Sequence, residues 1–187
     1  MIETPDSALM EEVRQGDLGS LAILFERHHR ALFNFFLRVN GRRDLSEDLV
    51  QDVFIRVLKY KQSYRSGRSF TAWMYQIARN AQIDCMQRHR NEVSIGDYDF
   101  VSVSNVGASN MDEGLKQKQE LALLRRALAR LPLEKRELLV LSRFQNVKYE
   151  DIAAILGCDV GAVKVRVYRA VRALGQIYFE LAGEKAS

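Results

Sequence analysis

The chain has 187 residues, 47% of them hydrophobic and 28% charged, and a formal net charge of +4. That apolar fraction sustains one ordinary domain or two small ones and excludes a globally disordered polymer. The mild basic excess favours an acidic partner, and how it is distributed says more than its size.

The chain opens on MIETPDSALMEEVRQGD, which is mixed and acidic and lacks the basic-then-apolar layout of a signal peptide. No apolar run approaches bilayer-spanning length, so a soluble cytoplasmic protein is expected. Leu21, Leu24, Phe25, His28, Leu32 and Phe36 recur at helical spacing and predict a long helix. Asp44 or Ser46 suits the cap of a second, with Leu49, Val53, Phe54, Val57 and Leu58 inward and Asp48, Gln51, Asp52 and Arg56 outward. KQSYRSGRS at 61–69 breaks the pattern with the turn residues Ser66 and Gly67. Ser69 suits the cap of the next helix, whose inner face is Phe70, Trp73, Met74, Ile77 and Ala81.

Between 91 and 112 helical periodicity fades, and Glu92, Asp97, Asp99 and Asp112 stand without a Lys or Arg. This reads as an interdomain linker. Its DFVSVSN portion alternates like a strand but has no second strand to pair with. From Glu113 the helical pattern resumes along Leu121, Leu124, Leu128 and Leu131, is broken at Pro132, and continues through Leu138, Leu139 and Leu141. The expected fold is all-α, with two small helical domains at 1–90 and 113–187. A flexible acidic linker at 91–112 joins them, and the second ends in a helix-turn-helix.

YEDIAAILGCDVGAVKVRVYRA at 149–170 carries that motif. Ile152, Ala153, Ile155 and Leu156 form the apolar face of a short helix, and the small Ala153 permits a close crossing. Gly157 supplies a left-handed stop and Asp159 an N-cap. Val160, Val163, Val167, Ala170 and Leu174 face inward on the following helix. Lys164, Arg166, Tyr168, Arg169 and Arg172 are left outside, as a major-groove reader requires. Charge alone fits a solvated hairpin equally well. The coincidence of small residue, glycine break, cap and basic helix favours DNA.

Residues 59–90 carry seven basic residues (Lys59, Lys61, Arg65, Arg68, Arg79, Arg88, Arg90) against the single acid Asp84. Tyr60, Tyr64, Phe70, Trp73 and Tyr75 interleave with them, a composition suited to unpaired nucleic acid. Trp73 falls on a helical stripe and reads as core, whereas Tyr64 in the loop is expected to be exposed. EDLVQDVFIRVLKY at 47–60 is physically an ordinary amphipathic helix. Enzyme signatures are missing: there is no phosphate-binding glycine loop, and His28, His29 and His89 lack ligand spacing. Cys85 and Cys158 form no CxxC or Cys/His cluster and read as helix-packing residues of a chain in a reducing compartment. No metal, cofactor or catalytic residue is expected.

Taken in order, these motifs resemble the bacterial RNA polymerase sigma factors of the extracytoplasmic-function type, over roughly residues 8–180. DLVQDVF at 48–54 is similar to that family's polymerase-clamp helix, FTAWMYQIARNAQIDCMQRHR at 70–90 to its promoter-melting segment, and the stretch from Ala127 to Leu174 to its second conserved domain. The resemblance implies core polymerase binding by Asp48, Gln51 and Asp52, with Arg56 beside them. It implies minus-ten contacts from the 61–69 loop (Lys61, Tyr64, Arg65, Arg68) and from Arg79 and Asn80. Minus-thirty-five contacts fall to Lys164, Arg166, Tyr168, Arg169 and Arg172, with Arg166 and Arg169 near the groove and Lys164 at its rim. The linker matches the segment that threads toward the polymerase active site. Val165 departs from the small polar residue common at its position. Core RNA polymerase and promoter DNA are the implied partners, and sequestration by an anti-sigma factor the implied control. The rival reading is a self-contained helix-turn-helix regulator with an N-terminal sensing or dimerisation domain. Such a regulator has no need of the basic, aromatic-rich 47–90 segment.

Overall fold

The computed structural model describes residues 4–92 and 113–184, all of whose regular elements are helical. The linker expected at 91–112, including DFVSVSN, lies almost entirely outside them.

Helix α1 (Asp6–Gln15), not foreseen from periodicity, is bounded by Pro5 and by Gly16 at φ 108°. Asp17 caps α2 (Leu18–Asn40), accepting the Gly19 and Ser20 amides at 2.8 and 3.3 Å. That places a carboxylate against the positive end of the helix. Gly41 closes α2 in the left-handed conformation at φ 75°. The next helix, α3 (Arg43–Lys59), corrects the expectation that Asp44 or Ser46 caps it. The Asn40 amide oxygen takes the Arg42 N–H at 2.8 Å, so the chain turns earlier. Ser46 is buried, its hydroxyl donating to the Arg42 carbonyl at 2.5 Å. A single turn of 3-10 helix (Lys61–Ser63) leads to α4 (Phe70–Glu92), where Ser69 accepts the Ala72 amide at 3.2 Å as the sequence suggests. Phe35, Phe36, Val53, Val57, Met74 and Ala78 form the centre these four helices share.

The C-terminal helices are α5 (Glu113–Arg130), α6 (Leu133–Leu139), α7 (Tyr149–Leu156) and α8 (Val160–Glu184). Pro132 precedes α6, and α6 runs on into a wider π turn (Val140–Phe144), where the Gln145 amide reaches the Val140 carbonyl at 3.0 Å. Leu128, Leu131, Leu139 and Ala170 bury one patch, and Leu123, Ala127 and Leu181 another. Leu121, expected on the inner face, is 46% exposed.

The two groups of helices are packed on each other. Helix α4 lies against α7, and α2 lies against α5, α6 and the π turn. Leu141, Ile152 and Ala153 join the same buried cluster as Phe36 and Ala78. Removing such apolar surface from water is the main favourable term here, at about 25 cal/mol per Å². Polar bonds cross the same seam, from Gln76 Nε2 to the Ala154 carbonyl at 2.7 Å and from Arg136 Nη1 to the Val39 carbonyl at 2.6 Å. Among the described residues no helix is long and apolar enough to cross a membrane.

Candidate nucleic-acid interface

Helix α3 buries Leu49, Val50, Val53, Phe54 and Val57 and turns the opposite stripe to solvent. Asp48 and Gln51 are exposed and Asp52 is half-buried. Arg56 is not the free outer cation the sequence suggests. Its guanidinium sits between Asp52 at 3.0 Å and Asp84 of α4 at 2.6 Å. Burial alone depresses its basicity, but the two carboxylates outweigh that and raise it. Leu58, expected inward, is 37% exposed, and Ile55 stands 65% exposed one turn beyond Gln51. Gln51, Ile55 and Leu58 recur at three- and four-residue steps, so they share one face. Sequence reasoning missed Ile55, although its position opposite Val53 and Val57 on the helical wheel carries the signal.

The 61–69 loop holds a second correction. Tyr64 is 1% exposed, not a surface aromatic. Its ring meets Trp73 and Phe70 edge-on at 5.3 and 6.3 Å, and its hydroxyl donates to the Arg68 carbonyl at 2.6 Å. Burial, with Asp6 and Glu11 nearby, raises its pKa. Tyr64 thus pins the loop from below, which leaves Arg65 and Arg68 exposed and Lys61 half-buried. Ser66 and Gln62 tie the loop to α1, through Glu11 Oε2 at 2.8 Å and the Arg14 carbonyl at 3.1 Å. Tyr60, 47% exposed beside Lys59, is the accessible aromatic here.

On α4, Asn80 is exposed but Arg79 is engaged. Its Nε donates to Glu137 Oε2 of α6 at 3.1 Å. Glu137 is 2% exposed. Burial raises its pKa above the usual carboxylate value, and Arg79 pulls the other way. Its second oxygen, Oε1, has no hydrogen-bond partner among the described residues. Neighbouring Arg136 donates to the carbonyls of Val39, Leu131 and Ala129, closing the C-terminal ends of α2 and α5. Its own basicity is lowered by burial.

The α7–α8 corner follows the spacing read from the sequence. Gly157 adopts φ 63°, and Asp159 Oδ1 accepts the Ala162 amide at 2.8 Å. Val163, Val167 and Ala170 are buried, and Lys164, Arg166, Tyr168, Arg169 and Arg172 are all exposed. Among the described residues none of these cations forms an ion pair. Arg172 lies over the Tyr168 ring, 6.0 Å from its centre. At about 100° per residue, Val165 and Arg172 point roughly 170° away from the buried side. Tyr168 and Arg169 lie to either side of them, Lys164 is near one edge, and Arg166 is at the opposite edge. Val165 is 49% exposed in the middle of this basic face. No group of acidic, His or Cys side chains among the described residues is arranged to hold a metal ion.

Comparison with known proteins accounts for this layout. Residues 24–92 match the family model of Sigma-70 region 2 and residues 121–174 that of Sigma-70 region 4. The chain is 32% identical to the ECF RNA polymerase sigma factor EcfG of Rhodopseudomonas palustris, over 78% of this chain and 77% of that one. It is 28% identical to the ECF RNA polymerase sigma-E factor of Escherichia coli, over 90% and 92% of the two chains. Among solved structures it is similar to the sigma factor RpoE of Bartonella quintana, crystallised with the anti-sigma factor NepR. The TM-score there is 0.67 at 28% identity, over 83% of this chain and 94% of that one. Regions 2 and 4 in this order define a sigma-70 architecture. The chain belongs to the ECF RNA polymerase sigma factors, whose work is transcription initiation. The self-contained regulator is not favoured.

Proposed function

We propose that the chain binds core RNA polymerase through the outward face of α3 and directs it to promoters with two DNA-facing surfaces. It has no catalytic activity of its own and works in the cytoplasm. The N-terminal domain (1–90) contributes Asp48, Gln51, Asp52 and Arg56 to the polymerase contact, with Ile55 as its apolar centre. It contributes Lys61, Arg65, Arg68, Arg79 and Asn80 to the minus-ten element. Tyr64 acts there from beneath, by holding the loop. The linker at 91–112 leads to the C-terminal domain (113–187), whose α7–α8 helix-turn-helix reads the minus-thirty-five element. An anti-sigma factor is the expected controlling partner, as the complex formed by the Bartonella relative suggests.

The observation that carries this reading is the exposed face of α8, where Lys164, Arg166, Arg169 and Arg172 project beyond a buried, capped hairpin with no acid paired to them among the described residues. Such cations can neutralise phosphates without first giving up an acidic partner. Arg79, in contrast, must leave Glu137 before it reaches a melted strand.

The test is co-migration with core polymerase on size exclusion, then fluorescence titration. Gln51→Ala and Ile55→Ala should weaken core binding without loss of helicity. Asp52→Ala should do the same and also release Arg56. Unchanged core affinity in all three variants refutes the α3 assignment.

A further inference from the structure

We infer that Val165 is a specificity-determining residue, whose isopropyl group packs on the C5-methyl of one thymine in the minus-thirty-five element. The inference rests on the groove-reading role proposed for α8.

Folding does not account for an exposed Val165 on the basic face of that helix. A β-branched apolar side chain serves a helix best when buried, yet Val165 is 49% exposed while Val163 and Val167 on either side are 0% and 2% exposed. It lies near the outermost line of the helix, about 170° from the buried direction, in the second turn after the Asp159 cap. The N-terminal turns of a recognition helix are the ones that reach base edges. Around it stand the side chains that would hold it there: Lys164 and Arg166 at the two edges, with Arg169 and Tyr168 one turn on. Val165 has no donor or acceptor. The methyl of thymine is the apolar group a base pair presents in the major groove, and apolar side chains recognise it by contact. Tyr168, exposed on the same face, carries a polar hydroxyl, whereas Val165 offers only an apolar surface.

The probe is a promoter duplex recovered by wild-type holoenzyme, full-length chain plus core polymerase, from a library randomised across the minus-thirty-five segment. Each thymine of that segment is replaced singly by deoxyuridine, which keeps the base pair and removes only the methyl. Wild type should lose about fourfold in affinity at one position, the scale of one methyl's burial. Val165→Ser should bind the thymine and deoxyuridine duplexes equally at that position, and Val165→Thr, which keeps one methyl, should retain part of the difference. A selected segment without thymine, no position sensitive to deoxyuridine, or full sensitivity persisting in Val165→Ser each overturns the inference. Failure of the underlying reading is distinguishable. If Lys164→Ala and Arg169→Ala leave affinity and its salt dependence unchanged, α8 does not touch the DNA at all. If those variants weaken binding while Val165→Ser changes nothing, only the thymine contact is wrong.

Discussion

Replacing Arg79 with Ala leaves the Glu137 carboxylate in the seam between α4 and α6 without its cation. Breaking a buried ion pair from one side costs about 3–5 kcal/mol, because the surviving charge stays desolvated. Glu137 is 3% exposed in its side chain but Arg79 is 29% exposed, so water screens the pair on one side and about 2–3 kcal/mol is the appropriate range. The loss has a ceiling: once the seam opens, Glu137 is hydrated, so the penalty cannot exceed the free energy that holds the two groups of helices together. Arg79→Ala should therefore act first on docking. Amides of α6 and α7 should lose protection from hydrogen exchange by roughly 30- to 150-fold at pH 7.5, the ratio that 2–3 kcal/mol represents. The pH dependence has a definite sign. Burial raises the folded carboxyl above its ordinary value of 4.5, so between those two values the docked state binds the extra proton. The stabilisation this group contributes is full below 4.5 and is lost as pH rises through the raised value. The Arg79→Ala defect should shrink as the pH is lowered toward that window, and Glu137→Gln combined with Arg79→Ala should restore most of the protection. Equal protection in wild type and Arg79→Ala at pH 7.5, or no rescue by Glu137→Gln, refutes the reasoning.

Tyr64→Phe should destabilise the N-terminal helices by about 1–2 kcal/mol, measured by urea unfolding, since the Arg68 carbonyl loses its 2.6 Å donor. Tyr64→Ala should cost about 3–5 kcal/mol, because the ring beneath the loop is lost as well. Gly157→Ala should cost about 1–2 kcal/mol, read from the thermal midpoint, purely through the backbone: φ is +63° and a Cβ there meets nothing within 4 Å. Gly157→Asn should cost less, Asn being tolerant of that conformation. Asp159→Ala should cost about 1 kcal/mol and fray the first turn of α8, visible as faster exchange of the Ala162 amide.

What was legible in the sequence was mostly local. The glycine-then-Asp punctuation at 157–159 needs only neighbouring atoms, and the structure follows it. So do the Ser69 cap and the inward stripe of Val163, Val167 and Ala170. What failed depended on residues far away. Tyr64 looks like a loop aromatic until Trp73 and Phe70 close over it. Arg56 has a local partner in Asp52 four residues back, but its second, Asp84, is 28 positions on, and Arg79 looks unpartnered because Glu137 is 58 positions on. A basic residue's availability for phosphate is thus a tertiary property. Composition counts the cations of 59–90 correctly but does not say which are already engaged. Ile55 is the converse case: its exposure follows from helix geometry once the buried side of α3 is fixed, and apolar character alone hides it.

The Arg136 clasp bears on the order in which the protein is made. Its guanidinium meets the Val39 carbonyl across 97 positions of chain. Ribosomes add about 5–20 residues per second, so that donor arrives roughly 5–20 s after the acceptor, whereas helices form in about a microsecond. Helix α2 must therefore stand without it at first, its end secured by the Gly41 amide on the Leu37 carbonyl. During synthesis there is an interval in which α4 is complete and α6 and α7 do not yet exist. Over those seconds Gln76 lacks the Ala154 carbonyl and Arg79 lacks Glu137, so a partner meeting the nascent chain finds two side chains that the finished molecule holds engaged.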